Sequence, residues 1–158
     1  MANTIDFQKF LRRLVLYEGL KLKAYKDSVG IWTVGIGSIR HLDGTSVKQG
    51  DVVTEEMAYR MATVEAQNMF RELTAALKVP QTENQLIALL CLMYNIGSGG
   101  LKLSSVLKSI NSKASMSEIE QNWYKWNKGT VNGKKVELPG LTARRKSEFK
   151  IYSGLIKY

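Results

Sequence analysis

The segment Gln85 to Ile96, QLIALLCLMYNI, restricts the possible folds of this chain more than any other stretch. From Leu86 to Tyr94 it is apolar at almost every position, so a helix built from it has no face to offer water and belongs at the centre of a lobe. Thr82 followed by Gln85 is a capping-box pattern that starts such a helix. Gly97, Gly99 and Gly100 break it. The apolar run is far shorter than the roughly 20 residues of a membrane span.

The other segments predict further helices and one hairpin. Ile5, Phe10, Leu11, Leu14 and Val15 recur near a helical period, with Asn3 or Thr4 as candidate N-cap and Gly19 as terminator. Lys23 to Asp27 and Ile31 to Ile36 read as two short strands joined by Ser28-Val29-Gly30. The segment from Arg40 to Val53 is rich in turn formers and receives no element. Thr54 with Glu55 and Glu56 opens a long helix to about Lys78, the acidic pair lying where the helix dipole favours it. After Pro80 and the apolar helix, one helix is expected over Ser104 to Ile110. Another is capped by Ser117 with Glu120 and runs through Trp123 and Trp126. Pro139-Gly140 turns the chain before a final basic helix from about Thr142.

The expected fold class is therefore α+β and mostly helical: a small N-terminal lobe carrying the β-hairpin, and an all-helical C-terminal lobe, joined by a long helix. The expected boundaries are about 15–55, 55–78 and 80–158, with helix 4–17 packing against the last of these. A chain of 158 residues is long enough to bury a sizeable core as one domain. Its single cysteine, Cys91, excludes an internal disulfide and reads as a buried, inert thiol. The net charge of +9, from 23 basic and 14 acidic residues, favours a polyanionic partner without selecting one. The basic residues are scattered, and no zinc-finger spacing, basic zipper or RNA-binding motif accompanies them. The N-terminus has no signal-peptide pattern, since Asp6, Lys9, Arg12 and Arg13 interrupt it.

Three residues around the predicted hairpin carry a candidate chemistry. Glu18 falls at the last turn of the first helix, where the negative end of the dipole disfavours its ionised form. Neighbouring Tyr17, Leu20 and Leu22 add desolvation in the same direction. Pairing arithmetic sets Asp27 opposite Ile31 and Tyr25 opposite Thr33, which puts Asp27 and Thr33 on one face of the hairpin as diagonal neighbours. A carboxylate and a hydroxyl so placed hold one water between them. Two carboxylates in different environments are the minimum equipment for cleaving a glycosidic bond. Taken singly, each residue also has a structural reading: an exposed helix-end Glu, a turn Asp and a strand Thr.

The pattern Glu18, Asp27 and Thr33 within EGLKLKAYKDSVGIWTVGIG closely resembles the phage-type lysozymes, bacteriophage endolysins of glycoside hydrolase family 24. The resemblance covers essentially the whole chain. LIALLCLMYNIGSGGLKLSSVLKSIN resembles the family's central buried helix, its Asn-x-Gly break and the next helix start, and WYKWNKGTVNGKKVELPGLTARRKSEFKIY resembles its closing segment. It implies a lysozyme-like two-lobe fold and hydrolysis of the β-1,4 bond between N-acetylmuramic acid and N-acetylglucosamine in peptidoglycan. Glu18 would be the catalytic acid, Asp27 the second carboxylate and Thr33 the hydroxyl that positions water, an arrangement that implies inversion. Tyr94, Asn95, Ser104 and Ser105 would meet substrate from the C-terminal lobe. Arg144 and Arg145 look structural or surface-electrostatic. Many relatives place a His directly after the second glycine of Gly-x-Gly; here Ser38 follows Gly37, and the only His is His41.

No metal or cofactor is expected, because His41 and Cys91 alone make neither a zinc set nor a nucleophilic triad. The expected partners are peptidoglycan strands and, indirectly, a pore-forming holin. The protein is expected to be monomeric, to bind no nucleic acid and not to insert stably in membrane. It would be made in the host cytoplasm and act on the wall once the membrane is permeabilised. Three other readings remain: a lytic transglycosylase, a non-catalytic wall-binding or membrane-perturbing protein with its final basic helix on anionic surfaces, and a nucleic-acid binder.

Overall fold

Local signals fix most element boundaries in the computed structural model, which describes residues 4–156. The order is α1 (Phe7–Glu18), β1 (Lys21–Lys26), β2 (Trp32–Gly35), α2 (Glu55–Ala76), α3 (Glu83–Ile96), α4 (Ser98–Leu103), α5 (Ser105–Asn111), α6 (Met116–Tyr124), β3 (Lys128–Val131), β4 (Lys134–Glu137) and α7 (Pro139–Tyr152). The architecture is α+β and mostly helical, with two separate antiparallel hairpins. Backbone contacts divide the chain within α2 into two units. One is Phe7–Asn68; the other runs from Met69 onward and includes residues 4–6. This grouping places α1 with the first hairpin, whereas the sequence reading assigned helix 4–17 to the later residues.

In the first unit α1 buries Phe10, Leu11 and Leu14 and leaves Arg12 and Leu16 outside. It starts at Phe7 rather than after Thr4; Asn3 lies outside the described residues. Gly19, at φ +74°, donates its N–H to the Val15 carbonyl at 2.8 Å and closes the helix as expected. β1 and β2 pair with Tyr25 opposite Thr33 and Lys26 opposite Trp32, and the Asp27 N–H bonds the Ile31 carbonyl. That is the register the sequence predicts.

The segment left without an element from Arg40 to Val53 is well tied down. Val53 N–H bonds Leu22 O and Ala24 N–H bonds Asp51 O, both at 2.9 Å, so 51–53 runs beside β1. His41 Nε2 lies 2.8 Å from Asp51 Oδ2, which also accepts the Lys48 N–H. The His41 hydrogen bond, then the Lys48 N–H, holds the Asp51 carboxyl below its usual range. Beneath this loop Val34, Val47, Val53, Ala58 and Met61 form an apolar core. Each larger aliphatic side chain so buried is worth roughly 1.5–3 kcal/mol.

The second unit is built around α3. Thr82 and Gln85 form the reciprocal capping box, and eight consecutive residues from Leu86 to Met93 are buried, Cys91 among them. α3 packs along α7. Glu148 of α7 is fully buried and is gripped by Arg145 Nε at 2.7 Å, Arg145 Nη2 at 2.8 Å and Arg144 Nε at 3.1 Å. Trp123 Nε1 donates at 3.2 Å to Oε1, the oxygen that Arg145 Nε faces, while Arg145 Nη2 and Arg144 Nε donate to Oε2. Arg144 Nη2 reaches the Cys91 carbonyl and Arg145 Nη1 the Trp126 carbonyl, both at 3.1 Å. One carboxylate thus ties α3, α6, the segment ahead of β3 and α7 together. An aromatic cluster of Trp123, Tyr124, Phe149 and Tyr152 packs beside it.

The later residues depart from expectation at several points. The later residues are not all helical: β3 and β4 form a second hairpin with Lys128 opposite Glu137 and Val131 opposite Lys134. Asn132 and Gly133 turn it with φ of +50° and +75°, as a two-residue Asn-Gly turn requires. Gly97 ends α3 as expected, whereas Gly99 and Gly100 lie inside a further short helix, α4. α6 is capped by Ser115, whose hydroxyl accepts the Glu118 N–H, not by Ser117. The final helix likewise starts at Pro139, which fits the first helical turn because its missing N–H has no partner there.

Removal of the Glu148 carboxylate deprives Arg145, only 1% exposed, of the counter-charge that grips it. Glu148→Ala is therefore expected to cost about 3–5 kcal/mol. Glu72→Ala breaks the exposed Lys102–Glu72 pair and is expected to cost less than about 1 kcal/mol. Urea unfolding of both variants checks this; equal losses would contradict a structural role for the network.

Candidate active site

The end of α1 and the first hairpin place the three predicted catalytic residues in one unit. Glu18 is the last residue of α1 and is half-buried. Its carboxylate is seated against the turn that follows β2: a Cβ built on Gly37 would lie 3.1 Å from Glu18 Oε2 and 3.4 Å from Cδ and Cγ. Gly37 also has φ +75°, a conformation that side chains rarely adopt. The glycine thus serves twice, once for the turn and once for the close approach of the carboxylate.

Asp27 does the work of a turn residue with half of its carboxylate. Oδ1 accepts the N–H groups of Val29 and Ile31, both at 2.9 Å. These bonds fix the plane of the group and leave Oδ2 for another partner. Thr33 is 3% exposed, and its hydroxyl donates to the Ile31 carbonyl at 3.0 Å. With its proton committed there, Thr33 Oγ1 can only accept from anything else. Ladder pairing sets Tyr25, Asp27 and Thr33 on one face of the hairpin.

Tyr25 reports on the electrostatics of that face. Burial, then the charge of Glu18, then that of Asp27, pushes its phenol above the usual value. Both carboxylates therefore act on one hydroxyl. The Lys21 ammonium sits 4.1 Å above the Tyr25 ring. The sequence reading used Tyr25 only to set register, yet that pairing already put it beside Thr33.

The four substrate-contact candidates lie in the second unit. Tyr94 and Asn95 occupy the last turn of α3, Tyr94 half-buried and Asn95 exposed. The helix is closed there by the Gly97 N–H to Met93 O, so Asn95 is not its cap. Ser104 is 4% exposed and caps α5, accepting the Leu107 N–H and donating to the Leu101 carbonyl. Ser105 is exposed. Arg144 and Arg145 are structural, as described above. Ser38 is fully buried, and its hydroxyl has no partner among the described residues. Among those residues no group of three or more His, Cys, Asp or Glu is placed to hold a metal, and no helix is long and apolar enough to cross a membrane.

A carboxylate at a helix end and a hairpin that presents a second carboxylate and a hydroxyl make up the set that a lysozyme-type hydrolase would use. The family model described as phage lysozyme matches residues 15–148, and the chain belongs to that family. It is 38% identical over 141 residues to an endolysin of Acyrthosiphon pisum secondary endosymbiont phage 1, covering 89% of this chain and 92% of that one. It resembles the solved endolysin from Escherichia coli O157:H7 phage FAHEc1 with a TM-score of 0.89 at 36% identity, covering 99% and 98% of the two chains. The muramidase domain of SpmX from Asticaccaulis excentricus aligns with a TM-score of 0.82 at 25% identity, over 96% and 98%.

Gly37→Ala tests the seat of Glu18. The positive φ is expected to cost about 1–2 kcal/mol of stability, read by thermal unfolding. The added methyl also displaces the carboxylate by a few tenths of an ångström. Activity on cell walls, measured well below the unfolding temperature, is expected to fall at least about tenfold, in line with the sensitivity of catalysis to small misplacements. Full activity in the folded variant would contradict the importance of that seat.

Proposed function

We propose that this protein is a muramidase endolysin that hydrolyses the β-1,4 bond between N-acetylmuramic acid and N-acetylglucosamine in bacterial peptidoglycan. The observation that carries this reading is the hairpin face shared by Asp27, Thr33 and Tyr25, with the Glu18 carboxylate close enough for its charge to act on the same phenol. Membership in the phage lysozyme family and the endolysin relatives support it.

In this mechanism Glu18 donates its proton to the leaving glycosidic oxygen. A water between Asp27 and Thr33 donates one proton to Asp27 Oδ2 and the other to Thr33 Oγ1, because Oδ1 and the threonine proton are already engaged by backbone. With both its protons so directed, the water turns a lone pair toward the anomeric carbon. Asp27 takes up the proton as the new bond forms, and the sugar inverts its configuration. Tyr94, Asn95 and Ser105 contact the glycan, while Ser104 shapes its surroundings by capping α5. The protein works as a monomer, is made in the host cytoplasm and reaches the wall through a membrane breach opened by a holin.

Mass spectrometry of purified peptidoglycan, digested by the wild type and by Glu18→Gln, tests the reading. Hydrated muramic acid ends are expected from the wild type, with a loss of about 10²–10⁴-fold or more in rate for the variant. Anhydro ends would identify a lytic transglycosylase instead. No cleavage of a susceptible wall would sink the enzymatic reading.

A further inference from the structure

The hairpin face that carries Asp27 and Thr33 holds a third polar side chain, and the proton transfers proposed above leave it unused. Tyr25 stands opposite Thr33 in the ladder and two residues before Asp27, so the three side chains project to one side. Its ring is half-buried, and the Lys21 ammonium lies 4.1 Å from the ring centre. Strand pairing and this cation–π contact together hold the ring in place.

The hydroxyl of that ring is unengaged. Two other phenols are pushed up to about 12, and both have partners: Tyr124 donates to Glu120 Oε1 at 2.8 Å and Tyr152 to Gln81 Oε1 at 2.9 Å. Tyr25 donates to no group among the described residues. Its upward shift comes from burial and from the charges of Glu18 and Asp27, with no hydrogen bond contributing. The phenol therefore stays neutral across the working range of pH and keeps a hydrogen to give.

The neighbours decide what kind of acceptor fits. Asp27, when ionised, only accepts, and its Oδ1 already takes the Val29 and Ile31 N–H groups. Thr33 has given its proton to the Ile31 carbonyl. Of the three side chains on this face, Tyr25 is thus the donor. An anionic acceptor would be repelled by Asp27 and, whenever it is ionised, by Glu18. Sugar hydroxyls both give and accept, so carboxylates serve them. An amide carbonyl carries no charge, only accepts, and requires a donor of this kind.

We propose that the Tyr25 hydroxyl donates to the acetamido carbonyl of the sugar at the cleavage point, and so selects N-acetylated glycan. This rests on the muramidase reading, in which both sugars of the substrate carry that group. A site built to hydrogen-bond a substrate group rejects the analogue that lacks it, because its own polar atom is then left unpaired.

Two measurements test it. In the first, kcat/KM is compared for the wild type and Tyr25→Phe on purified peptidoglycan and on the same wall after chemical N-deacetylation. The variant keeps the ring and the charge of the protein, so the ammonium groups added to the wall act on both proteins alike. Deacetylation is expected to cost the wild type about tenfold more than it costs Tyr25→Phe, a coupling of roughly 1.4 kcal/mol. Tyr124→Phe, which removes a hydroxyl committed to Glu120, is expected to behave as the wild type. Equal losses in the wild type and Tyr25→Phe would overturn the inference. So would an undiminished rate of Tyr25→Phe on the intact wall.

The second is an NMR titration of tyrosine-labelled wild type with a tetramer of N-acetylglucosamine and with its deacetylated counterpart. The Tyr25 ring signal, identified by its loss in Tyr25→Phe, is expected to shift with the acetylated tetramer and to stay in place with the other. No shift with the acetylated tetramer, or the same shift with both, would overturn the proposal. If the wild type cuts neither wall, the muramidase reading fails, and the titration still decides this one.

Discussion

A single buried carboxylate organises the second unit. Glu148 has no access to water, and an ionised group so placed is sustained only by full compensation. It receives two guanidinium groups and an indole N–H. Those guanidiniums pass the constraint outward, Arg144 to the Cys91 carbonyl inside α3 and Arg145 to the Trp126 carbonyl ahead of β3. Such a network contributes less through its gross energy than through the cost of breaking it. It allows α3, α6 and α7 one mutual arrangement.

The first unit solves a different problem with turn chemistry. Asp27 binds the turn with one oxygen and leaves the other open, so that in the proposed reaction the residue that shapes the hairpin also serves the chemistry. Thr33 likewise gives its proton to the backbone and retains only acceptor capacity. Both side chains are oriented by bonds that exist before any substrate arrives, which is the preorganisation that catalysis by positioning requires. Gly37 adds the absence of a side chain, and that absence is what lets Glu18 approach.

What could be read from sequence follows from how local each signal is. The capping box of α3, the apolar run behind it, the Gly19 stop and the hairpin register depend on neighbours a few residues apart, and all were legible. Arg40 to Val53 was not, because its order comes from contacts at a distance: Asp51 with His41, and residues 51–53 with β1. The second hairpin was missed although Asn132-Gly133 is a strong turn signal; its strands are short, lysine-rich and almost wholly exposed, so no alternation of apolar residues announced them. The sequence reading put the cap of α6 at Ser117, and only the hydrogen bond from the Glu118 N–H moves it to Ser115. At the candidate site, Glu18, Asp27 and Thr33 were legible as a spacing. The hold of Asp27 Oδ1 on its turn and the seat at Gly37 needed coordinates.

The central claim is that Glu18 and the Asp27–Thr33 pair act from opposite faces of the sugar, one on the leaving oxygen and the other on water. The most direct measurement is proton NMR of the freshly released reducing end, recorded before mutarotation. The account predicts the α-anomer first, since inversion of a β bond produces it. Initial appearance of the β-anomer would mean retention. It would contradict the assignment of Asp27 and Thr33 to a water on the far face.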